Sequence, residues 1–272
     1  MRLNYSSGLI LFTVLIGFIM FPLGCSKNFV YYPEKKVIAT PENAGLTFED
    51  LTLTTEDGIR IKGWYVPFKG SESVLLWFHG NAGNIGNRVN LLQRLHEELQ
   101  LNILIIDYRG YGQSEGEISE EGTAKDALAA YDYLLTRRDI NPKKIVIFGR
   151  SLGAAVAVRL AAETRPAGLI LEAPFTSIKA MTAETLPWLP FKGLVSIKYD
   201  SLSKIKSVKS PLLIMHGDQD KVVPYKQGET LFKAANPPKF FYTITGADHN
   251  NSYIVGGTAY FERIKTFIKG IS

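Results

Sequence analysis

Cysteine is nearly absent from this 272-residue chain: Cys25 stands alone, which excludes an internal disulfide and any cysteine-ligated metal cluster. A Lys/Arg block is missing as well. The formal charge of +5 is spread along the sequence, leaving no basic track for nucleic acid. Histidine is scarce, with four in all, so the choice of a general base is short. No strongly apolar run reaches the roughly 20 residues a bilayer-spanning helix needs; Gly8–Leu23 has 16. Internal repeats and low-complexity segments are also lacking. What is present, 46% hydrophobic and 11% aromatic residues, suits a globular core. The length allows one large α/β domain or two small ones.

Arg2 followed by the apolar Gly8–Leu23 has the layout of a secretory signal segment. The run ends at Pro22-Leu23-Gly24-Cys25-Ser26. This end resembles a bacterial lipoprotein signal, with Cys25 as the lipidated residue, although Pro22 and Leu23 stand where such signals carry leucine and a small residue. An uncleaved membrane anchor and a plain cleaved signal are the alternatives. All three readings put the domain on the extracytoplasmic side, membrane-anchored in the first two. Residues 1–24 are accordingly read as signal or anchor, 25–45 as a tether with Pro33, Pro41 and Gly45, and 46–272 as the domain.

Phe48–Thr54 and Ile59–Val66 alternate apolar and polar residues around Glu56-Asp57-Gly58, predicting an antiparallel hairpin. Beyond it the pattern changes to continuous apolar runs. Val74–Phe78, Ile103–Ile106, Ile145–Phe148, Leu169–Leu171 and Leu212–Met215 read as strands covered on both faces, and Phe240–Thr245 as a last strand. Helical stripes lie between them: Leu91, Leu92, Leu95 and Leu99; Ala124, Leu128, Tyr131 and Leu135; Leu231, Phe232 and Ala235; Tyr260, Phe261, Ile264, Phe267 and Ile268. Strands alternating with helices predict an α/β fold with a mostly parallel eight-stranded sheet, helices on both faces and right-handed crossovers. Ligands in such sheets bind at the carboxyl ends of the strands.

The most informative of those ends is Gly149-Arg150-Ser151-Leu152-Gly153, between the strand Ile145–Phe148 and the helix-forming Ala154–Ala162. A serine in such a strand–turn–helix is lifted clear of the backbone, with the next N–H free to stabilise an oxyanion. The other ends are equally polar: His79-Gly80-Asn81-Ala82-Gly83-Asn84, Asp107-Tyr108-Arg109-Gly110-Tyr111-Gly112, His216-Gly217-Asp218-Gln219-Asp220 and Gly246-Ala247-Asp248-His249-Asn250.

Taken with Ala173-Pro174-Phe175-Thr176-Ser177, these motifs occur in the order of the alpha/beta-hydrolase superfamily, which the chain resembles over about residues 46–272. It is similar in particular to the small membrane-tethered serine hydrolases that include the abhydrolase-domain depalmitoylases. The resemblance implies an alpha/beta-hydrolase fold with a short lid over about residues 177–207. It also implies a catalytic triad in the order nucleophile, acid, histidine, which Ser151, Asp220 and His249 fit.

Chemistry asks for the same partners, because a serine hydroxyl is a weak nucleophile without a base, and the base needs an orienting group. His96 sits in an amphipathic helix beside Glu97 and Glu98, while His79 and His216 directly precede glycines and read as loop braces. His249, in a polar loop late in the chain, is the best candidate for the base. For the acid, Asp220 is favoured by its place in the motif, with Asp218 as a turn cap and Asp248 as a third choice. Ser114 and Ser177 are weaker nucleophile candidates, Ser177 reading as a helix cap.

The oxyanion hole falls to the N–H groups of Leu152 and Asn81, each typically worth about 3–4 kcal/mol. His216-x-Asp218-x-Asp220 could hold a cation, yet no companion ligand cluster accompanies it, so no metal and no cofactor is expected. Leu186-Pro187-Trp188-Leu189-Pro190-Phe191, within the lid, reads either as part of a short helix pair or as a flap forming an acyl pocket. The expected activity is hydrolysis of a carboxylic ester or thioester on a small-molecule or acylated substrate, with a peptidase or a non-catalytic binding protein as rivals.

Overall fold

The computed structural model describes residues 30–185 and 197–271. The apolar runs assemble into one eight-stranded sheet. Its strands are β1 (Glu49–Thr54), β2 (Arg60–Val66), β3 (Val74–Phe78), β4 (Asn102–Ile106), β5 (Ile145–Arg150), β6 (Gly168–Glu172), β7 (Leu212–Gly217) and β8 (Lys239–Ile244). The order across the sheet is β8-β7-β6-β5-β3-β4-β2-β1. β2 runs antiparallel to both β1 and β4, and the other pairs are parallel. Every residue of β3, β4, β6 and β7 is buried, which is why these strands lack polar alternation.

Helices α1 (Val89–Leu99), α2 (Glu120–Thr136), α3 (Leu152–Glu163), α4 (Ile178–Thr185), α5 (Ser201–Lys204), α6 (Tyr225–Ala234) and α7 (Ser252–Ile271) make the connections. α1 and α7 bury Leu92, Leu95, Tyr260 and Phe261 against one face of the sheet. α2, α3 and α6 bury Ala127, Leu134, Val158 and Leu231 against the other. The chain passes from β3 to β4 on one side, then returns to place β5 on the other side of β3. That reversal opens a crevice at the ends of β3 and β5.

The stripe on α2 differs from the expected one. Ala127, Ala130, Tyr131 and Leu134 face the core, whereas Leu135 is 43% exposed. The phase is set by Asp126, fully buried, whose carboxylate takes the backbone N–H of Arg109 at 2.8 Å and Arg109 Nε at 2.9 Å. An ion pair anchored at one register outweighs the gain from turning one more leucine inward.

The stretch expected to be a tether is also corrected from residue 30 onward. Tyr32–Pro33 pairs in parallel with Ala82–Gly83. Val30 and Tyr31 are buried, and the Tyr31 hydroxyl donates to that of Tyr199 at 3.0 Å. Asn84 Nδ2 donates to the carbonyls of Glu34 and Lys36, at 3.0 and 2.9 Å. The segment is irregular in sequence because it serves to satisfy the polar groups of the loop after β3.

In the lid region, Ser177 caps α4 by accepting the N–H of Ala180 at 3.1 Å. The apolar Leu186–Phe191 lies outside the described residues, as do Gly8–Leu23 and Cys25. Among the described residues no helix is long and apolar enough to cross a membrane.

Candidate active site

Ser151 occupies the turn between β5 and α3 with φ 54° and ψ −116°, a conformation that costs a non-glycine residue on the order of 1–3 kcal/mol. The flanking glycines make the turn possible. A methyl group on Gly153 would stand 2.0 Å from the Phe78 carbonyl oxygen, and one on Gly149 2.3 Å from that of Gly153. α3 therefore packs closely against the ends of β3 and β5. The Ser151 N–H donates to the Glu172 carbonyl at 2.9 Å, tying the turn to β6.

Tertiary structure brings Ser151, His249 and Asp220 together from the loops after β5, β8 and β7. Ser151 Oγ is 3.2 Å from His249 Nε2, and His249 Nδ1 is 2.7 Å from Asp220 Oδ2. All three are nearly enclosed, at 8%, 6% and 8% exposure. The other carboxylate oxygen of Asp220 accepts the N–H groups of Val222 and Val223 at 2.9 and 2.8 Å. Burial works against the charge of Asp220, yet hydrogen bonds from His216 and His249 outweigh it and hold the carboxyl below its usual range. An ionised carboxylate only accepts, so Nδ1 of His249 carries a proton and Nε2 presents a lone pair to Ser151.

The rival acids are used elsewhere. Asp218 Oδ1 accepts the N–H of Gly246 at 2.7 Å, pinning the loops after β7 and β8 to each other. Asp248 Oδ1 accepts the N–H of Asn250 at 3.0 Å. The remaining histidines brace loops as expected: His216 Nε2 donates to the Val223 carbonyl at 2.9 Å, and His79 Nδ1 to that of Gly80 at 2.6 Å. Ser114 is a structural donor to the Asp107 carbonyl at 2.9 Å. His216 Nε2 lies 3.5 Å from Asp220 Oδ2, but Asp218 is turned to Gly246, and among the described residues no cluster of three or more His, Cys, Asp or Glu side chains could hold a metal ion.

A methyl group on Gly80 would lie 3.6 Å from Ser151 Cβ, so the Gly80–Asn81 backbone passes beside the serine. Asn81 is held on three sides. Its carbonyl accepts Tyr32 N–H at 3.0 Å and the Tyr111 hydroxyl at 2.7 Å, and its side-chain amide donates to the Val30 carbonyl at 2.8 Å. Leu152 opens α3, where backbone N–H groups have no intrahelical acceptor.

Three further residues, none of them singled out as a site residue from sequence, support the site. Arg150 Nε pairs with Glu172 Oε1 at 3.1 Å, and Tyr260 donates its hydroxyl to Glu172 Oε2 at 2.6 Å. Arg150 Nη2 donates to the His249 carbonyl. The Ser151 turn and the His249 loop are thus fastened together. The one available signal was a glutamate ending the apolar run of β6, a placement that demands a buried cation.

A sheet of this order, with a serine turn after β5, an acid after β7 and a histidine after β8, has the architecture of the alpha/beta hydrolases. The chain belongs to that superfamily, in its abhydrolase group, and is a hydrolase at that level of description. Residues 70–199 match the family model described as serine aminopeptidase, S33. Among relatives, protein Rv2307c of Mycobacterium tuberculosis is 38% identical over 94% of this chain and 91% of its own length. The alpha/beta hydrolase domain-containing protein WAV2 of Arabidopsis thaliana is 34% identical over 89% and 87% respectively. Among solved structures, the Pyrococcus furiosus esterase Pf2001 superposes with a TM-score of 0.75 at 23% identity, covering 89% of this chain and all of that one.

Proposed function

We propose that this hydrolase is a serine esterase, cleaving carboxylic ester or thioester bonds through an acyl-enzyme. The observation that carries the reading is the continuous line of hydrogen bonds from Ser151 Oγ through His249 to Asp220. In the first step Ser151 Oγ attacks the carbonyl carbon while its proton passes to His249 Nε2. Asp220, kept ionised, stabilises the imidazolium through Nδ1–H. The N–H groups of Leu152 and Asn81 receive the oxyanion, and because the backbone already holds them they need no reorganisation as charge develops. His249 returns the proton to the leaving oxygen or sulfur, and water releases the acyl group by the same steps in reverse.

Ester cleavage is favoured over the amide cleavage suggested by the family model's name because Pf2001, similar in fold, is described as an esterase. The proposed setting is the extracytoplasmic face of a membrane, held by a lipid on Cys25, as the composition of residues 1–25 suggests. A fluorophosphonate probe tests the nucleophile: labelling of the full chain and its loss in Ser151→Ala are expected, and undiminished labelling in the variant would refute the assignment. A panel of 4-nitrophenyl esters against aminoacyl 4-nitroanilides tests the bond. Faster turnover of the anilides would transfer the reading to an amidase.

A further inference from the structure

Arg88 is an unusual residue for its position. It ends the 3-10 turn Ile85–Arg88, whose N-cap is Asn84, and is at once the N-cap of α1, an 11-residue helix, where it makes no side-chain capping bond. A helix start favours anions and polar acceptors, and a cation there is opposed by the helix dipole. The side chain is also half-buried, and its Nε is shut off from solvent without an acceptor. Its Nη2 donates to the Ala82 carbonyl, and among the described residues no carboxylate forms an ion pair with it. The nearby Asp107 makes no ion pair with it: Oδ1 accepts Ile85 N–H at 2.9 Å and lies 3.4 Å from His79 Nε2, while Oδ2 is buried without a hydrogen-bond partner. Burial lowers the affinity of Arg88 for its proton and the like charge of Arg150 lowers it further, outweighing the opposing pull of Tyr108, Asp107 and Tyr111.

Arg150 approaches the same loop as well. A methyl group on Gly80 would stand 3.9 Å from Arg150 Nη1, the arm of the guanidinium not engaged by Glu172 or His249. The two guanidiniums therefore flank Gly80–Ala82, the loop that lies beside Ser151. Desolvation, the helix dipole and a neighbouring cation all disfavour Arg88 as the free protein holds it. A bound anion would offset all three.

We propose that Arg88, together with the open arm of Arg150, forms a subsite for an anionic group, a carboxylate or a phosphate, carried by the substrate close to its scissile carbonyl. This rests on the esterase reading above. The substrates are then acidic esters, and the subsite positions their charge beside the oxyanion loop with planar two-donor recognition.

The test uses the detergent-solubilised full chain and matched esters. Mono-4-nitrophenyl adipate against 4-nitrophenyl hexanoate places the charge on the acyl side. 3-Acetoxybenzoate and 3-acetoxyphenyl phosphate, each against methyl 3-acetoxybenzoate, place it on the alcohol side and separate carboxylate from phosphate. In at least one pair, Arg88→Gln should lower the charged-to-neutral ratio of kcat/KM about 10- to 100-fold, as for loss of a charge-assisted hydrogen bond, with partial recovery in Arg88→Lys. Ratios within about twofold of wild type in every pair would overturn the subsite.

Calorimetry on Ser151→Ala gives a readout independent of turnover. Adipate or inorganic phosphate should bind, and adding Arg88→Gln should weaken that binding by about tenfold or more. Binding with this dependence but no ester cleavage by the wild-type chain would refute the esterase reading and keep the subsite. Ester cleavage with neither effect would refute the subsite and keep the esterase.

Discussion

Removing Arg150 should both destabilise the protein and slow it, and the two effects should separate when its partners are removed as well. Glu172 is 1% exposed, and its carboxylate is held by Arg150 Nε at 3.1 Å and the Tyr260 hydroxyl at 2.6 Å. Arg150→Met leaves that buried charge with one neutral donor, a change that costs about 3–5 kcal/mol. For a domain of this size the loss corresponds to roughly 6–20 °C in Tm. In Arg150→Met/Glu172→Leu/Tyr260→Phe the stranded charge and hydroxyl are both gone, and most of the stability should return. The bond from Arg150 Nη2 to the His249 carbonyl does not return. Without it the base loop is no longer fastened to the serine's turn, and kcat on a neutral ester should stay about 10- to 100-fold low. Thermal melts and 4-nitrophenyl butyrate turnover measure the two quantities side by side. Recovery of wild-type kcat together with Tm would refute the positioning role, and an unchanged melt in the single variant would refute the ion-pair argument.

Other expectations are simpler. Ser151→Ala should reduce ester turnover by about 10⁶-fold, as in serine triads generally. Asp220→Asn should cost about 10⁴-fold through loss of the correct imidazole tautomer, whereas Asp218→Asn, acting only on the Gly246 turn, should cost far less; the reverse ranking would reject the acid assignment. Because the Asp220 carboxyl is held below its usual range, its stabilising contribution is complete above the unfolded pKa of about 3.9 and is lost as pH falls below it. The stability gap between wild type and Asp220→Asn, read by urea unfolding, should therefore narrow from pH 6 toward pH 3, and a gap that widened would contradict the sign. Cys25→Ala should release the chain from the membrane fraction; full retention would favour an uncleaved apolar anchor.

Much of the site was legible in the sequence because its most demanding constraints are local. Continuous apolar runs mark strands buried on both faces, and the two glycines around Ser151 are required by atoms only a few residues away or on the adjoining strand. Chain order then left His249 as the base. Among Asp218, Asp220 and Asp248, only the place in the motif favoured Asp220, since all three sit within a few residues of the right loops and differ in where their oxygens point once those loops fold. The same holds for the face of α2, whose register follows from a pairing with Arg109, 17 residues earlier.

Local periodicity and backbone sterics, written along the chain, thus determined the class of fold, the serine turn and the choice of Ser151 and His249 as candidates. The folded arrangement alone decided the fastening of Arg150 to Glu172 and Tyr260, and the docking of Val30–Tyr32 on the loop beside Ser151. Each of those depends on a side chain meeting a partner distant in sequence. Such a pairing has no period and no fixed spacing, and its energy exists only after both groups have been brought out of water together.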